Sequence, residues 1–487
     1  MPGVKIDKKW MQRLWLIGLC AVMVVSVFVM LSLCADEGID YDESYSFKSA
    51  RDYTHIGIVQ KMVDDFDTDV PLYYNALRVW ITLFGGIGHR FFAARLFSVA
   101  GAVASMLLGI TVIRRQWGNL TALFYMIAVG LAPAMLHVNV NIRMYSWTNF
   151  LITSSALLAF YILQNPKKKR LWFLLGGCTV VALFSHYFTM FAYLAIYLFL
   201  LVAMFVYEKK QVWKVVVCGG AALTPLVIWM FVSGFFHFVE SDGDVTIKKL
   251  SFYGLINYLF KTDMKFWLPV TIALLFVTLV GGVFFIKGRK SLRGEKAFVL
   301  TCFLSIFVIY LLALFVSSFA SHFFSARHIM HATAMMWLGI AVILPRINKQ
   351  TYLAALVLLV GMCHVNFETE YERAYRDTPY LEETKEFIAT QMQPGDIVIY
   401  NSTRVYSAMY GSYMPDQVFI WQEDLEDIQT LAGKRVWFFL TDYTKYFTQE
   451  EIDTYGITEQ NMGHYGFQLI SNFNDFDILR VEIRGAE

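Results

Sequence analysis

Asp42 and Glu43 are adjacent carboxylates in the segment IDYDESYSFKSARDY (39–53), directly after the first long apolar run. A carboxylate pair suits proton transfer, one member acting as base while the other orients a substrate or helps to hold a divalent cation. Ten acidic residues fall between Asp36 and Asp69, and most of them read as a solvated acidic loop. Asp42 and Glu43, with Tyr41 and Tyr45 beside them, read as functional, because carboxylates next to hydrocarbon are costly to keep. Arginines supply the complementary chemistry. Arg95, Arg143 and Arg327, with Arg90, stand at the ends of apolar segments. A guanidinium makes bidentate, charge-assisted bonds to phosphate oxygens, so this set suits a phosphate-bearing, lipid-attached ligand. Taken singly, each arginine reads equally well as a side chain snorkelling to headgroups. Tyr145 and His186 lie in the turns NVNIRMYSW (139–147) and SHYF (185–188), and His322 and His328 in FASHFFSARH (319–328). For the histidines the plain reading is a packed or interfacial polar residue.

The elements that must position these residues are membrane helices. The chain has 487 residues, of which 57% are hydrophobic, 17% aromatic and only 16% charged, a composition far from that of a soluble domain. Apolar runs near 14–34, 91–113, 119–138, 146–163, 171–185, 188–207, 213–235, 266–286, 296–317, 327–344 and 350–364 predict about eleven transmembrane helices. The run at 14–34 lacks a small-residue cleavage site and reads as a retained helix.

With the N-terminus cytoplasmic, alternate loops collect the basic residues: Lys5 to Arg13, Arg114-Arg115, Lys167 to Arg170, Lys209 to Lys214, Lys287 to Lys296, and Arg346 with Lys349. Of the acidic residues in 1–364, only Asp7, Glu208 and Glu295 fall among them. The first loop (35–90), the turns named above and the loop 237–265 then share the extracytoplasmic face, which gathers the chemistry-bearing residues. PLYYNALRVWITLFG (71–85) is apolar enough to span, but counting it inverts every later loop; it reads as a helix lying in or dipping into the outer interface.

Residues 365–487 hold 22 Asp/Glu against 9 Lys/Arg, while 1–364 hold 17 against 32. The C-terminal part therefore reads as a separate acidic, soluble, extracytoplasmic domain, and nothing points to nucleic acid. Strands are expected at 396–400, 418–421, 436–441, 467–473 and 476–483, a helix at 380–392, and a final hairpin through Asn474-Asp475, giving a small α/β sheet. Tyr400, Tyr406, Tyr410 and Trp421 read as core or surface aromatics rather than a sugar platform. The six cysteines lie in or beside apolar runs and form neither a disulfide framework nor a zinc spacing.

Six short strings in order resemble the GT-C glycosyltransferases, in the branch of the protein O-mannosyltransferases and the lipid A aminoarabinose transferases. They are YDESY (41–45), VPLYY (70–74), ARLFS (94–98), NIRMYS (141–146), SHYF (185–188) and SARHI (325–329). Two departures stand out: Val70 replaces the first proline of a Pro-Pro pair, and the late Arg-aromatic motif reads Arg327-His328.

The resemblance implies a GT-C transmembrane catalytic domain over 1–364 in a bacterial plasma membrane. It implies transfer of one sugar from a polyprenyl-phosphate donor to a glycan, lipid or protein acceptor outside, with inversion. Asp42 would be the base, with Glu43 beside it. Arg95, Arg143 and Arg327 would neutralise the leaving phosphate, and Tyr145 and His186 would position sugar or phosphate oxygens. A divalent cation near Asp42 and Glu43 is the only cofactor considered. The rival reading is a transporter or flippase of lipid-linked sugars, which predicts repeat symmetry, broken helices and paired charges at mid-membrane. The apolar runs hold almost no acids and no internal repeat is visible, which favours the enzyme.

Overall fold

The structure is a computed structural model that describes residues 8–35, 38–64, 70–89, 91–234, 252–260, 267–287, 292–317, 326–376, 386, 390–400, 418–421, 428–431, 434–441, 462–467 and 476–482. It divides into two compact units. One comprises Met1–Cys34, Ser49–Gly88 and Phe92–Glu370; the other comprises Ala35–Lys48, His89–Phe91 and Tyr371–Glu487.

Each of the eleven apolar runs is helical. The helices are α1 (Lys8–Cys34), α2 (Tyr41–Asp52), α3 (His55–Asp64), α4 (Pro71–Phe84), α5 (Phe92–Leu108), α6 (Asn119–Leu131), α7 (Pro133–Val140) and α8 (Tyr145–Gln164). They continue with α9 (Lys169–Leu183), α10 (Thr189–Tyr207), α11 (Val212–Val232), α12 (Phe252–Phe260), α13 (Trp267–Lys287), α14 (Glu295–Ser317), α15 (Thr333–Ile343) and α16 (Lys349–Arg376). Among the described residues, eight helices are long and apolar enough to cross a membrane, nine if α6 and α7 count as one span. At 27 residues, α1 is about 40 Å long, more than the roughly 30 Å of a hydrocarbon core. The chain is an integral, multi-pass membrane protein.

The run at 119–138 does not form one straight span. Pro133 has no N–H to give to a carbonyl one turn back, and the helix bends by 57° between α6 and α7. Asn139 repairs the break: its Nδ2 donates to the carbonyls of Val129 (2.9 Å) and Gly130 (3.3 Å). The last apolar run also extends further than its hydropathy predicts, because α16 continues through polar helix-forming residues to Arg376.

At 14 residues, about 21 Å, α4 is too short to span. It starts at Pro71 after an extended Val70, and buries one face, Pro71, Tyr73, Tyr74 and Leu77. Two contacts fix its ends. The Leu72 N–H donates to Phe184 O (3.2 Å), and the Trp80 indole donates to Ala93 O at the start of α5 (2.8 Å).

Loops rich in basic residues meet at one end of the bundle. Glu295 is buried and accepts from Trp117 Nε1 (2.8 Å), Arg346 (2.7 Å) and the Leu292 N–H (2.9 Å). Close by, Arg293 pairs with Glu208 at 3.0 Å and Gln164 donates to Arg293 O. Arg114 donates to Gln12 O. A buried carboxylate survives in such a place because its lone pairs are taken by charged and polar donors.

In the C-terminal unit the strands β1 (Ile397–Tyr400), β2 (Val418–Trp421), β3 (Arg435–Thr441), β4 (Met462–Phe467) and β5 (Phe476–Glu482) form one sheet in the order β2-β1-β3-β5-β4. β1 pairs parallel with β2 and β3, whereas β5 pairs antiparallel with β3 and β4. Asp396 anchors the start of β1 to β3, accepting from Arg435 Nε (2.9 Å) and Trp437 Nε1 (2.7 Å). β4 pairs from Met462, opposite Val481, to Phe467, opposite Phe476. The remainder of the strand expected at 467–473, and most of the helix expected at 380–392, lie outside the described residues.

Candidate active site

Two places in the chain carry the chemistry-bearing residues, and each is described by itself. The first is the start of α2. Asp40 precedes the helix and its Oδ1 accepts the Glu43 N–H at 2.7 Å, while Glu43 Oε2 accepts the Asp40 N–H at 3.3 Å. This reciprocal pair satisfies helix-start N–H groups that otherwise lack partners. Glu43 is only 5% exposed. Asp42 is half-buried in the same first turn, where the positive end of the helix favours a carboxylate. The side chain of Tyr41 lies outside the described residues. Glu43 thus holds the backbone from which Asp42 projects.

The second place lies within the membrane unit, where α5, α8, the α9–α10 turn and the turn before α15 converge. Arg95 sits one turn into α5 on its buried face and is 5% exposed; Arg143, just before α8, is 6% exposed. The two neighbourhoods are tied together. Ser98, three residues after Arg95 and so on the same side of α5, donates its hydroxyl to Asn141 O at 2.6 Å and lies 3.4 Å from Arg143 O. Trp147 Nε1 donates to Phe97 O at 2.9 Å, and the rings of Trp80, Phe97 and Trp147 pack in series, tilted by 44° and 39°, with centroids 5.5 and 5.3 Å apart. Gly101 permits this approach: a Cβ there would lie 2.9 Å from the Trp147 backbone nitrogen. Arg143 also donates from Nη1 to the Tyr74 hydroxyl at 3.4 Å, which joins α4 to the same place.

Around Arg143 stands a nest of rings. Tyr145 lies 6.2 Å from His186 and 5.0 Å from His331, and His186 lies 4.4 Å from His331 and 5.6 Å from His328, centroid to centroid. Phe188 stacks on His328 at 3.9 Å. His186 Nδ1 accepts the Phe188 N–H at 3.2 Å, so in the neutral ring its proton is on Nε2. His328 and His331 belong to a 3-10 turn, Ala326–Ala332, in which residues three apart fall on one side.

The structure therefore brings Arg95, Arg143, Tyr145 and His186 into one region. Arg327 lies in the 3-10 turn, and its side chain lies outside the described residues, as do Arg90 and His322. Tyr74 and His331 were not singled out from the sequence. The pair of histidines three apart in RHIMHA was the available signal for His331. Among the described residues, no group of three His, Cys, Asp or Glu side chains is placed to hold a metal ion. The only cation candidates remain Asp42 and Glu43, of which Glu43 Oε2 is engaged by the Asp40 N–H.

No family model matches this sequence, and no curated protein matches it. Solved structures do resemble the fold. ArnT from Cupriavidus metallidurans in the apo state superposes with a TM-score of 0.62 at 12% identity, over 96% of this chain and 99% of that one. The same protein bound to undecaprenyl phosphate gives 0.60 at 12% identity, over 97% and 99%. The Archaeoglobus fulgidus oligosaccharyltransferase in complex with Zn and sulfate gives 0.50 at 12% identity, over 94% of this chain and 72% of that one. Nearly full-length likeness at so low an identity speaks for backbone architecture, and the chain has the GT-C membrane fold of these proteins.

Proposed function

We propose that the protein is a glycosyltransferase that moves a single sugar from a polyprenyl-phosphate donor to an acceptor hydroxyl at the extracytoplasmic face. The observation that carries this reading is the pair of nearly wholly buried arginines, Arg95 and Arg143, tied together through Ser98. A guanidinium makes bidentate, charge-assisted bonds to phosphate oxygens, and a lipid-linked phosphate is an anion that reaches such a place from within the bilayer. The ArnT fold bound to undecaprenyl phosphate is consistent with that choice.

In the reaction, the acceptor oxygen attacks the anomeric carbon and the bond from that carbon to the phosphate oxygen breaks. Polyprenyl phosphate departs, and the anomeric centre inverts. Asp42 takes the acceptor proton, a role worth about 10²–10⁴-fold in rate. Arg95, Arg143 and Arg327 oppose the negative charge that grows on the leaving phosphate, the work of an oxyanion hole. Glu43 acts through the helix start that it braces. No step is assigned to a metal ion. The first loop, 35–90, and the C-terminal part, 365–487, lie outside the cytoplasm in this reading, on the strength of the Lys/Arg distribution.

Two measurements test the reading. Purified full-length protein in nanodiscs should release undecaprenyl phosphate from an undecaprenyl-phosphate hexose or pentose when an acceptor is present. A strain lacking the protein should accumulate a lipid-linked sugar and lose a surface glycan modification by mass spectrometry. Movement of intact sugar lipid between leaflets, with no release of undecaprenyl phosphate, would establish the transporter reading instead.

A further inference from the structure

His331 is 1% exposed, and its Nε2 has no hydrogen-bond partner. A buried, unsatisfied imidazole nitrogen costs roughly 1–3 kcal/mol, so its persistence asks for a reason. Its surroundings hold it in place from two sides. Thr148 Oγ1 lies 2.8 Å from His331 Nδ1. On the next residue of α8, Asn149 Nδ2 donates to Met330 O at 2.7 Å, and Asn149 Oδ1 accepts the Ala334 N–H at 2.8 Å. One asparagine thus pins the backbone on both sides of the histidine, and one threonine orients its ring.

The threonine also bears on which nitrogen carries the proton. A hydroxyl has one hydrogen. With that hydrogen given to the Tyr145 carbonyl at 2.9 Å, Thr148 accepts from His331, Nδ1 is the N–H of the neutral ring and Nε2 is a lone pair. It is an acceptor set in an otherwise aromatic nest, with His186 at 4.4 Å and Tyr145 at 5.0 Å between centroids, and within electrostatic reach of Arg143.

An acceptor cannot bond an ionised phosphate oxygen, which is itself acceptor-only. It requires an O–H or N–H donor on the ligand. The arginine close by requires an anion. A ligand that presents both within one short span is a sugar phosphate, its hydroxyl or amino group toward the histidine and its phosphate toward the guanidinium. Aromatic faces such as Tyr145 accept the C–H face of the same ring.

We infer that His331 Nε2 accepts a hydrogen bond from a hydroxyl or amino group on the sugar of the lipid-linked donor, so that His331 reads the sugar while Arg143 holds the phosphate. This rests on the glycosyltransferase reading above and adds a residue and a role to it. Such a contact discriminates strongly, since a buried acceptor left without its donor is penalised.

The test compares two probes on the full-length protein in nanodiscs: undecaprenyl phosphate without sugar, and undecaprenyl phosphate carrying glucose, mannose or 4-amino-4-deoxyarabinose. His331→Phe keeps a ring and removes the acceptor. It should bind bare undecaprenyl phosphate as the wild type does, and bind the preferred sugar lipid about tenfold or more weakly. His331→Gln, which keeps an acceptor, should recover part of the loss. If His331→Phe does not fold, His331→Ala carries the same comparison. Equal losses for both lipids would make the histidine a packing residue only, and no loss for either would remove it from the site; both outcomes overturn the inference. Failure of the wild type to bind any sugar lipid would instead overturn the function on which it rests.

Discussion

Asp40 and Glu43 clasp each other across the first turn of α2, Asp40 Oδ1 on the Glu43 N–H and Glu43 Oε2 on the Asp40 N–H. The clasp separates the roles of two adjacent acids that are alike in the sequence. Glutamine at the third helical position completes the same arrangement as glutamate, so Glu43→Gln should leave the helix start intact and keep most of the turnover. Glu43→Ala should destabilise α2 by about 1 kcal/mol, visible as faster amide exchange over residues 40–46. Asp42→Asn keeps shape and hydrogen bonding but cannot take a proton. Its turnover should fall by about 10²–10⁴-fold with donor binding retained. An active Asp42→Asn beside a dead Glu43→Gln would move the base to Glu43.

Arg95 and Arg143 should fail as lysines. Each is buried among helix ends, where a planar fork meets a phosphate and a flexible ammonium does not match it. Arg95→Lys and Arg143→Lys should each weaken undecaprenyl phosphate binding by about tenfold. Tyr74→Phe removes only a long contact of 3.4 Å to Arg143 and should do less. Wild-type binding in both lysine variants would take these arginines out of donor recognition.

The orientation of the chain is open to direct labelling. In a background free of native cysteines, Thr54→Cys and Lys168→Cys each place a thiol at an exposed position. A membrane-impermeant maleimide should label the first in intact cells and the second only after permeabilisation. The reverse pattern would invert the topology.

Asp396 should matter to the C-terminal unit out of proportion to its size. It is buried and accepts from Arg435, Trp437 and the Gln393 N–H, joining β1 to β3. Asp396→Ala strands those donors and should destabilise the unit by about 2 kcal/mol or more. Hydrogen exchange on the full chain should show the loss over β1 and β3 while α5, α8 and α15 keep their protection. Uniform loss in both units would mean that the node does not act locally.

Much of this protein is legible without coordinates, because membrane insertion writes itself in composition. A helix in lipid must satisfy its own backbone and show apolar side chains, so eleven runs of hydropathy correspond to eleven helical regions; that α4 is too short to span came from the structure, since in the sequence only the loop charges set it aside. The basic loops follow the same logic: Gln12, Arg114, Trp117, Glu208, Arg293, Glu295 and Arg346 do gather at one end. The residue types at Asp42, Arg95, Arg143 and His186 are also what suggests a phosphate ligand and a proton transfer, the function proposed above.

Tertiary structure decided what residue type cannot. That Glu43 Oε2 accepts the Asp40 N–H, whereas Asp42 beside it is half-buried, is visible only in the fold. That the 119–138 run bends at Pro133 depends on Asn139 being able to reach the freed carbonyls. The placing of Met462 opposite Val481 and of Phe467 opposite Phe476 is a matter of register, which only pairing between strands fixes. His331 is the sharpest case. In sequence it is one more histidine on an apolar stretch; its fixed setting exists only because Thr148 and Asn149, 183 and 185 residues from their partners His331 and Ala334, fold against it. Local pattern reports the solvent each segment sits in, whereas a hydrogen bond between distant residues is a property of the packed chain alone.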